Sequence, residues 1–372
     1  MKLEGLTVVD LSVFLPGPYL TMALADHGAR VIKVEPPGGD PGRHIGVADG
    51  PSTVFFRNVN RGKESVVIDL KSAEGRARLL KLCETADVFV ESFRPGVMRR
   101  LGVDYAAVAQ VNPRIVYCSI SAFGQDGPYG DRPAHDLATM ALAGAIGITL
   151  GGDGAPAMPG VAVADIVSSL QALSGVLMAL YRREKTGRGD YIDVAMHHAA
   201  LAALPNVMGP AMAGLPQPDP RHERTTGGSA FYRIYEAADG RHLVLGAQET
   251  KFVHTLLDRL GRPDLAPLCE RGPGPHQQPV IEFLAGVFRE KPLAHWLAWF
   301  DGLDVSFAPV NTLREALDDP QVRTRGAVLT DDLGREHIAP VVRFLEEPAR
   351  PTLREPAFGE RDGGNREWGR LA

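Results

Sequence analysis

Apolar and polar residues along the first third of the chain follow a pattern of strands that alternate with helices. An apolar strand through Thr7–Leu11 is followed by a turn at Pro16-Gly17-Pro18, a helix that Gly28 can cap, and a second strand through Val31–Glu35. This order predicts a βαβ unit. Three further strands are predicted, at Ser65–Leu70, Asp87–Phe93 and Arg114–Phe123. We therefore expect an α/β fold with a parallel sheet covered on both faces.

A change of composition after Tyr191–Met196 indicates a second domain, because proline, alanine and methionine dominate as far as Pro220. Two β-rich runs, Phe231–Glu236 and His242–Gly246, are joined through Asp239-Gly240, a strong hairpin signal. Helices are predicted after this hairpin. We assign residues 1–200 and 325–372 to a large domain and residues 201–324 to a small α+β domain. The last residues, 359–370, are charged and glycine-rich and are expected to fray.

Charge and cysteine content exclude several functions. The formal net charge of −5 gives no electrostatic reason to expect nucleic acid or an anionic membrane surface as a partner. The three cysteines are too scattered for a disulfide framework or a metal site. We also expect no stretch long and apolar enough to span a bilayer, and so predict a soluble cytoplasmic protein.

The turn after the first strand argues against a nicotinamide dehydrogenase. Dinucleotide-binding folds place a G-x-G-x-x-G turn at this point, and its amide groups contact a pyrophosphate. Here the turn contains Pro16 and Pro18, which lack amide hydrogens.

Three acid/base side chains each stand where a helix is predicted to begin: His135, Asp165 and Glu249. Unpaired amide groups and the positive end of the helix dipole can hold a carboxylate charged or bias an imidazole there. This placement suits chemistry at an acidic carbon or a carbonyl. Each residue also has a simpler interpretation, because Asp165 can be a helix cap, His135 can be satisfied by Asp136, and Glu249 can be a first-turn acid.

The segment after Asp165 is predicted to be a deeply buried helix. Apolar residues lie nearly all round the helix over Ile166–Arg183. We expect it to pack on the sheet with its N-terminus directed at a cleft.

Short segments spread along the chain resemble the conserved motifs of a known protein family. The sequence resembles the family III CoA-transferases, or CaiB/BaiF group, which includes the α-methylacyl-CoA racemases. The matching segments are Leu3–Leu11, Gly28–Pro36, Asn60–Lys63, Ile68–Lys71, Ala86–Val88, Phe93–Gly96, Arg100–Gly102, Gly124–Pro128 and Thr186–Gly189.

The resemblance implies a Rossmann-like large domain made from both chain ends, a smaller domain from the middle, and an interlocked homodimer. It implies an acyl-CoA substrate bound between the large domain of one subunit and the small domain of the other. Coenzyme A enters as part of that substrate, and the resemblance implies no permanently bound cofactor and no metal.

Within the family, Asp165 matches the carboxylate that every subgroup uses. In racemases it exchanges a proton at C2 with a histidine, here His135, whose imidazole Glu249 would orient by a hydrogen bond. In CoA transferases it instead forms an aspartyl-CoA thioester. The pair His135-Asp136 and the segment Gly246–Glu249 resemble the racemases. The run after Asp165, Ile166–Ser169, departs from their glycine-rich pattern and leaves the transferase alternative open.

Cations are needed for the phosphates of CoA, and the family positions that match are Lys71, Arg94 and Arg100. Many relatives have an arginine where this chain has Pro36, and we expect Arg43 to compensate. A third alternative is an acyl-CoA-binding protein without turnover, although such a protein has no chemical reason to keep His135, Asp165 and Glu249.

Overall fold

The computed structural model describes residues 1–362 and divides them into two compact units. The first unit comprises residues 1–143, 161–203 and 320 onward, and the second comprises residues 144–160 and 204–319. The sequence-based division differs from this one mainly at residues 144–160, which it places in the large domain, and by a few residues at the boundaries, 201–203 and 320–324. The loop of residues 144–160 belongs to the second unit because it folds back on itself through a bridge between Leu150 and Pro156 and borders the second unit's hairpin.

The strands are β1 (Thr7–Asp10), β2 (Arg30–Glu35), β3 (Ala48–Asp49), β4 (Ser52–Thr53), β5 (Glu64–Val67), β6 (Val88–Glu91), β7 (Val116–Ser121), β8 (Asp190–Ala195), β9 (Tyr232–Glu236), β10 (His242–Gly246), β11 (Phe307–Pro309), β12 (Val328–Thr330) and β13 (Glu336–Ile338).

The α-helices are α1 (Pro16–Asp26), α2 (Val54–Asn60), α3 (Ala73–Cys83), α4 (Val97–Leu101), α5 (Tyr105–Val111), α6 (Asp136–Leu142), α7 (Ala145–Ile148), α8 (Val163–Thr186), α9 (Met196–Ala202), α10 (Gly209–Met212), α11 (Thr250–Arg259), α12 (Ala266–Glu270), α13 (Gln278–Phe288), α14 (Leu293–Phe300), α15 (Leu313–Asp318) and α16 (Pro320–Thr324).

A six-stranded parallel sheet forms the centre of the first unit, with strand order β5-β2-β1-β6-β7-β8. The predicted parallel sheet is therefore confirmed. Counted along the chain, this is the Rossmann order 3-2-1-4-5-6, whose direction of winding reverses between β1 and β6. In open α/β sheets, ligands bind outside the carboxyl ends of the strands at such a switch point.

The predicted turn at Pro16-Gly17-Pro18 is instead the first turn of α1, so this prediction was wrong. A proline is tolerated there because the first amides of a helix have no partner within the helix. Gly17 is needed at this position because any Cβ atom would collide with the side chain of Ser12. The predicted cap is confirmed, since Gly28 follows the helix with φ of 107°.

Helix α8 is buried on one face only, contrary to the prediction from its composition. Its buried residues include Ala164, Ser168, Ala172 and Val176, whereas Met178 and Tyr181 on another face are exposed. By length and composition alone this helix could also cross a membrane, which corrects the expectation that no segment could. Its contacts with β7, β8 and α1 place it within the α/β unit.

The second unit has a three-stranded antiparallel sheet of order β11-β10-β9. The predicted hairpin is confirmed, with β9 and β10 joined through a turn in which Gly240 has φ of 74°. Apolar residues of β9, β10, α11, α13 and α14 form one buried core that includes Tyr235, Leu256, Phe288 and Trp296.

Part of the segment predicted to fray, residues 363–370, lies outside the described residues. The described part is bound to β5. The amide of Gly359 donates to Ser65 Oγ at 3.1 Å, and Asp362 Oδ1 accepts a hydrogen bond from the amide of Val67 at 3.0 Å. Fraying is therefore not seen at residues 359–362.

Candidate active site

The loops that follow β1 and β6 meet at the switch point of the parallel sheet. The amide of Val13, after β1, donates to Ser92 Oγ, after β6, at 3.0 Å. Phe14 directly follows Val13, and Arg94 lies two positions after Ser92. The loops therefore bring an aromatic ring and a cation to the edge of the sheet where α/β proteins bind ligands.

His135 is the N-cap residue of α6, which confirms that it begins a helix. Its carbonyl accepts hydrogen bonds from the amides of Ala138 and Thr139 at 3.1 and 3.2 Å, while its side chain is exposed. The imidazole meets the ring of Phe14 edge-on, with ring centroids 5.9 Å apart and planes at 87°. The candidate histidine therefore borders the switch-point loop.

Asp165 lies in the first turn of α8, as predicted. Its amide donates to Asp136 Oδ1 at 3.1 Å, which brings the beginnings of α6 and α8 together. Burial, and to a smaller extent the nearby charge of Asp136, together raise the pKa of Asp165 to about 7. The structure thus brings residues 135 and 165 into one region of the first unit, with a carboxyl group that titrates near neutral pH.

Glu249 is the exposed N-cap residue of α11 in the second unit, and so also begins a helix. Its carbonyl accepts hydrogen bonds from the amides of Phe252 and Val253 at 2.9 and 3.2 Å. The hydrogen bond from Glu249 to His135 that the family resemblance implies stays a prediction.

Three of the predicted CoA-binding cations follow strands of the parallel sheet. Lys71 precedes α3, Arg94 lies in the loop after β6, and Arg100 lies in α4; all three are exposed. None of them forms an ion pair within residues 1–362. They are therefore available to an anionic ligand.

Arg43 differs from the other three predicted cations, because it is buried and paired with a carboxylate. Only 9% of the residue is exposed, and its guanidinium binds Glu35 through two hydrogen bonds of 2.6 and 2.8 Å. It also lies 4.1 Å from the ring of Phe56 and donates to the carbonyl of Pro356. These contacts give Arg43 a structural role. It also lines a cavity together with Gly39 and Phe358, and its role as a compensating phosphate ligand stays a prediction.

The sequence analysis missed a polar ladder that crosses three strands. Glu91, Ser119 and Asp193 are direct cross-strand neighbours on β6, β7 and β8. Gln125 joins them, since its side chain donates to Ser119 Oγ at 2.8 Å and its amide donates to Asp193 Oδ2 at 2.9 Å. Burial raises the pKa of Glu91 to about 7. The available signal in the sequence was a polar residue in the carboxyl-terminal half of each strand, but only the pairing of the strands shows that these residues are neighbours.

A second missed cluster lies beneath the loop after β1. Asp10 accepts hydrogen bonds from Lys63 Nζ at 2.9 Å and Thr21 Oγ1 at 2.7 Å. Lys33 Nζ lies 2.6 Å from Asp40 and donates to the carbonyl of Ser12 at 3.0 Å. Burial opposes ionisation of Asp10, but Lys63 and Lys33 together lower its pKa to about 2. This buried network fixes the backbone that leads to Phe14.

The second unit contains a cavity of about 1320 Å³ beside its hairpin. Tyr232, Arg233 and Gly246 are among the residues that line it. Gly246 precedes Glu249 by three positions, so the cavity borders the segment that carries the third candidate residue. Within the described residues, no group of three or more His, Cys, Asp or Glu side chains is arranged to hold a metal ion.

Comparison with known proteins identifies one family, but the relatives are named for two different activities. The model of CoA-transferase family III matches residues 3–362. The protein of Mus musculus named succinyl-CoA:glutarate CoA-transferase is 33% identical over 369 residues, covering 96% of this chain and 84% of that protein. The Homo sapiens α-methylacyl-CoA racemase is also 33% identical over 369 residues, covering 97% of this chain and 91% of that protein.

A solved structure supports the same conclusion for the fold. The crystal structure of a CaiB/BaiF family protein from Brucella suis is similar with a TM-score of 0.81 and 30% sequence identity. The similarity covers 96% of this chain and 97% of that chain.

Proposed function

We infer the function from the premise that this chain belongs to CoA-transferase family III, whose members are enzymes that act on CoA thioesters. We propose that it racemises or epimerises a 2-methylacyl-CoA by moving the proton at C2 between His135 and Asp165. The observation that carries this proposal is the hydrogen bond between Asp136 and the amide of Asp165, which joins the two residues' helices where the carboxyl pKa is near 7.

Racemisation requires a proton acceptor on one face of C2 and a donor on the other. In one direction, neutral His135 removes the proton, the electrons of the C–H bond form the enolate, and protonated Asp165 delivers a proton to the opposite face. The imidazolium and carboxylate that remain catalyse the reverse direction. A carboxyl group with a pKa near neutrality populates both forms, which suits this exchange of roles.

The enolate oxygen needs hydrogen-bond donors or positive charge. We assign this role to the N-terminus of α8. The amide of Asp165 is occupied by Asp136 and that of Ile166 by the carbonyl of Ala162, so the amides of Val163 and Ala164 are the candidates. Lys71, Arg94 and Arg100 would bind the phosphates of the CoA moiety, and Glu249 would orient the imidazole.

Incubation of a single-configuration 2-methylacyl-CoA in deuterated water tests this reaction. We expect deuterium at C2 together with loss of optical purity. Asp165→Asn and His135→Gln should each reduce racemisation by about 100-fold or more, because each removes an obligatory proton carrier. His198→Gln is the matched control, since His198 is an exposed histidine of α9 and should leave the rate unchanged. Retention of deuterium-free, optically pure substrate would contradict the proposal.

A second candidate is CoA transfer between carboxylic acids, which is favoured by the relatives named as CoA-transferases. In this reaction a carboxylate oxygen of Asp165 attacks the thioester carbonyl and the CoA thiolate leaves, giving a mixed anhydride. The thiolate then attacks the Asp165 carbonyl, so the donor acid is released and an aspartyl-CoA thioester forms. An acceptor carboxylate then attacks the aspartyl-CoA thioester. The same steps in reverse give the acceptor's CoA thioester and regenerate the Asp165 carboxylate.

Hydroxylamine distinguishes this candidate, because it converts an aspartyl thioester or anhydride into a hydroxamate that mass spectrometry locates at residue 165. Labelling with no C2 exchange would select transfer over racemisation. Tight binding of acyl-CoA with neither exchange nor labelling would select an acyl-CoA-binding protein without turnover.

A further inference from the structure

Phe14 has an unusual backbone conformation. Its φ of 64° is the only positive φ at a non-glycine residue within residues 1–362. This left-handed region brings the Cβ atom of an L-residue too close to the backbone, and bulky residues persist there only where their surroundings impose it. Such residues concentrate at functional sites.

The surroundings of Phe14 impose this conformation from both sides. On the N-terminal side, the amide of Val13 donates to Ser92 Oγ at 3.0 Å, and the carbonyl of Ser12 accepts from the buried Lys33 Nζ at 3.0 Å. On the C-terminal side, the carbonyl of Leu15 accepts from the amide of Tyr19 in α1 at 2.9 Å. The loop is therefore fixed by β2, β6 and α1 together.

Burial of the ring does not explain the strain. Phe14 is 37% exposed, so a substantial part of this residue stays in contact with solvent. Its ring instead meets the imidazole of His135 edge-on at 5.9 Å. Perpendicular aromatic pairs at such distances attract each other and restrict the rotation of both rings.

We propose that Phe14 is a positioning residue that fixes the imidazole of His135, an inference that rests on the proposed role of His135 in proton transfer. The strained loop presents the phenyl ring to the imidazole, so that the imidazole nitrogen keeps one direction toward the substrate. The buried network holds the loop in place, and the loop in turn holds the imidazole of His135 through the ring of Phe14.

Phe14→Leu tests this role because it keeps an apolar side chain and removes the ring. We expect kcat to fall about 10-fold or more while KM for acyl-CoA changes by less than about 2-fold, since a small misplacement of a reacting group has effects of this size. In the NMR spectrum, the imidazole protons of His135, assigned by their loss in His135→Gln, should lose the displacement caused by the phenyl ring current.

Phe344→Leu is a closely matched control. Phe344 is also 37% exposed and meets His27 edge-on, with ring centroids 5.5 Å apart and planes at 82°. This substitution should leave kcat, KM and the His135 resonances unchanged.

A second variant separates positioning from structure. Phe14→Gly removes the backbone strain along with the ring, so a purely structural role predicts equal or higher thermal stability with unchanged kcat. Positioning instead predicts that kcat falls in Phe14→Gly and recovers in Phe14→Tyr, which restores the ring. Unchanged His135 resonances and unchanged kcat in Phe14→Leu and Phe14→Gly would overturn the proposal. If His135→Gln were fully active, the proton-transfer function would fail, and the NMR comparison would still decide whether Phe14 orients the ring.

Discussion

The carboxyl group of Asp165 lies half-buried at the beginning of α8, beside a second acid. Its pKa is raised from 3.8 to about 7, so the folded chain holds this proton more tightly than the unfolded chain does. Ionisation of Asp165 therefore destabilises the folded protein. This destabilisation is smallest below about pH 4 and grows as the pH rises toward 7. The group is positioned for chemistry at the expense of stability.

Asp165→Asn should remove this pH-dependent loss. We expect the variant to be more stable than the parent protein at pH 8 by about 1–2 kcal/mol, a value reduced from the full shift because the group is partly solvated. The two proteins should have similar stability at pH 4. Urea denaturation at both pH values measures the difference, with Asp332→Asn in an exposed turn as the control. Equal stability at pH 8 would contradict the raised pKa.

Arg94 and Arg43 should respond differently to substitution. Arg94→Ala removes an exposed cation and should raise KM for acyl-CoA about 10-fold, with little change in stability. This effect should disappear with an acyl-pantetheine thioester, which lacks the phosphates. If KM for both thioesters rose equally, Arg94 would not be a phosphate ligand.

Arg43→Met should instead unfold the protein more readily, because it leaves Glu35 buried without its cation. We expect a loss of about 3–5 kcal/mol in the free energy of unfolding. Thermal denaturation measures it. A stable variant with weakened CoA binding would support the role that the sequence first suggested for Arg43.

Sequence reasoning located the residues whose positions depend on local pattern. His135, Asp165 and Glu249 all begin helices because glycine, proline or a hairpin precedes them and apolar periodicity follows. It could not show that Arg43 pairs with Glu35, since a partner eight residues away follows no periodicity. It could not detect Phe14, because a strained φ at a non-glycine residue results from tertiary contacts rather than from its own preference.

At the scale of elements, the polar ladder connects β6, β7 and β8 in their carboxyl-terminal halves. Ser119 lies at its centre and accepts a hydrogen bond from Gln125 at 2.8 Å. The ladder anchors the loop that leads from β7 toward His135. Its loss should therefore affect both stability and the position of that loop.

Ser119→Ala should destabilise the first unit by about 1–3 kcal/mol, because the buried Glu91 and the partly buried Gln125 lose a hydrogen-bond partner. Ser121→Ala is a matched control on the same strand. The hydroxyl of Ser121 is buried and has no hydrogen-bond partner among residues 1–362, so its removal should cost little or stabilise the protein. Chemical denaturation compares the two, and equal effects would show that the ladder has no special role.

Elements were predictable where one physical signal dominated. The parallel strands were recognised because they are apolar on both faces, and the hairpin because Gly240 accepts a positive φ. The first turn of α1 was misread because proline both breaks and begins helices. The face of α8 was misread because apolar residues do not reveal which of them a single chain buries.

At the scale of the whole molecule, α8 leaves an apolar surface uncovered. Met178 and Tyr181 are 66% and 67% exposed, and Leu177 is exposed beside them. Exposed apolar residues that cluster on one helix are typical of an association surface. This supports the predicted homodimer, which stays a prediction, as does the cytoplasmic location.

Light scattering on the purified protein should give a mass of about twice the 40.0 kDa of one chain. Met178→Glu should shift the mass toward that of a single chain, because it introduces a charge into the apolar surface. Glu184→Lys, at an exposed charged position of the same helix, is the control. A monomeric parent protein would remove the support for an interlocked assembly.

The first unit is assembled from segments that lie far apart in the sequence, and this affects its biosynthesis. The amide of Gly62 donates to the carbonyl of Arg354 at 2.9 Å, and Arg61 donates to the carbonyl of Ile338 at 2.6 Å. During synthesis, Arg61 and Gly62 cannot form these contacts until residues 338–354 have left the ribosome, and residues 204–319 emerge before them. A nascent chain that stalls before residue 338 therefore has all six strands of the parallel sheet, but its edge strand β5 lacks the C-terminal segment that binds it. Such an exposed edge favours aggregation.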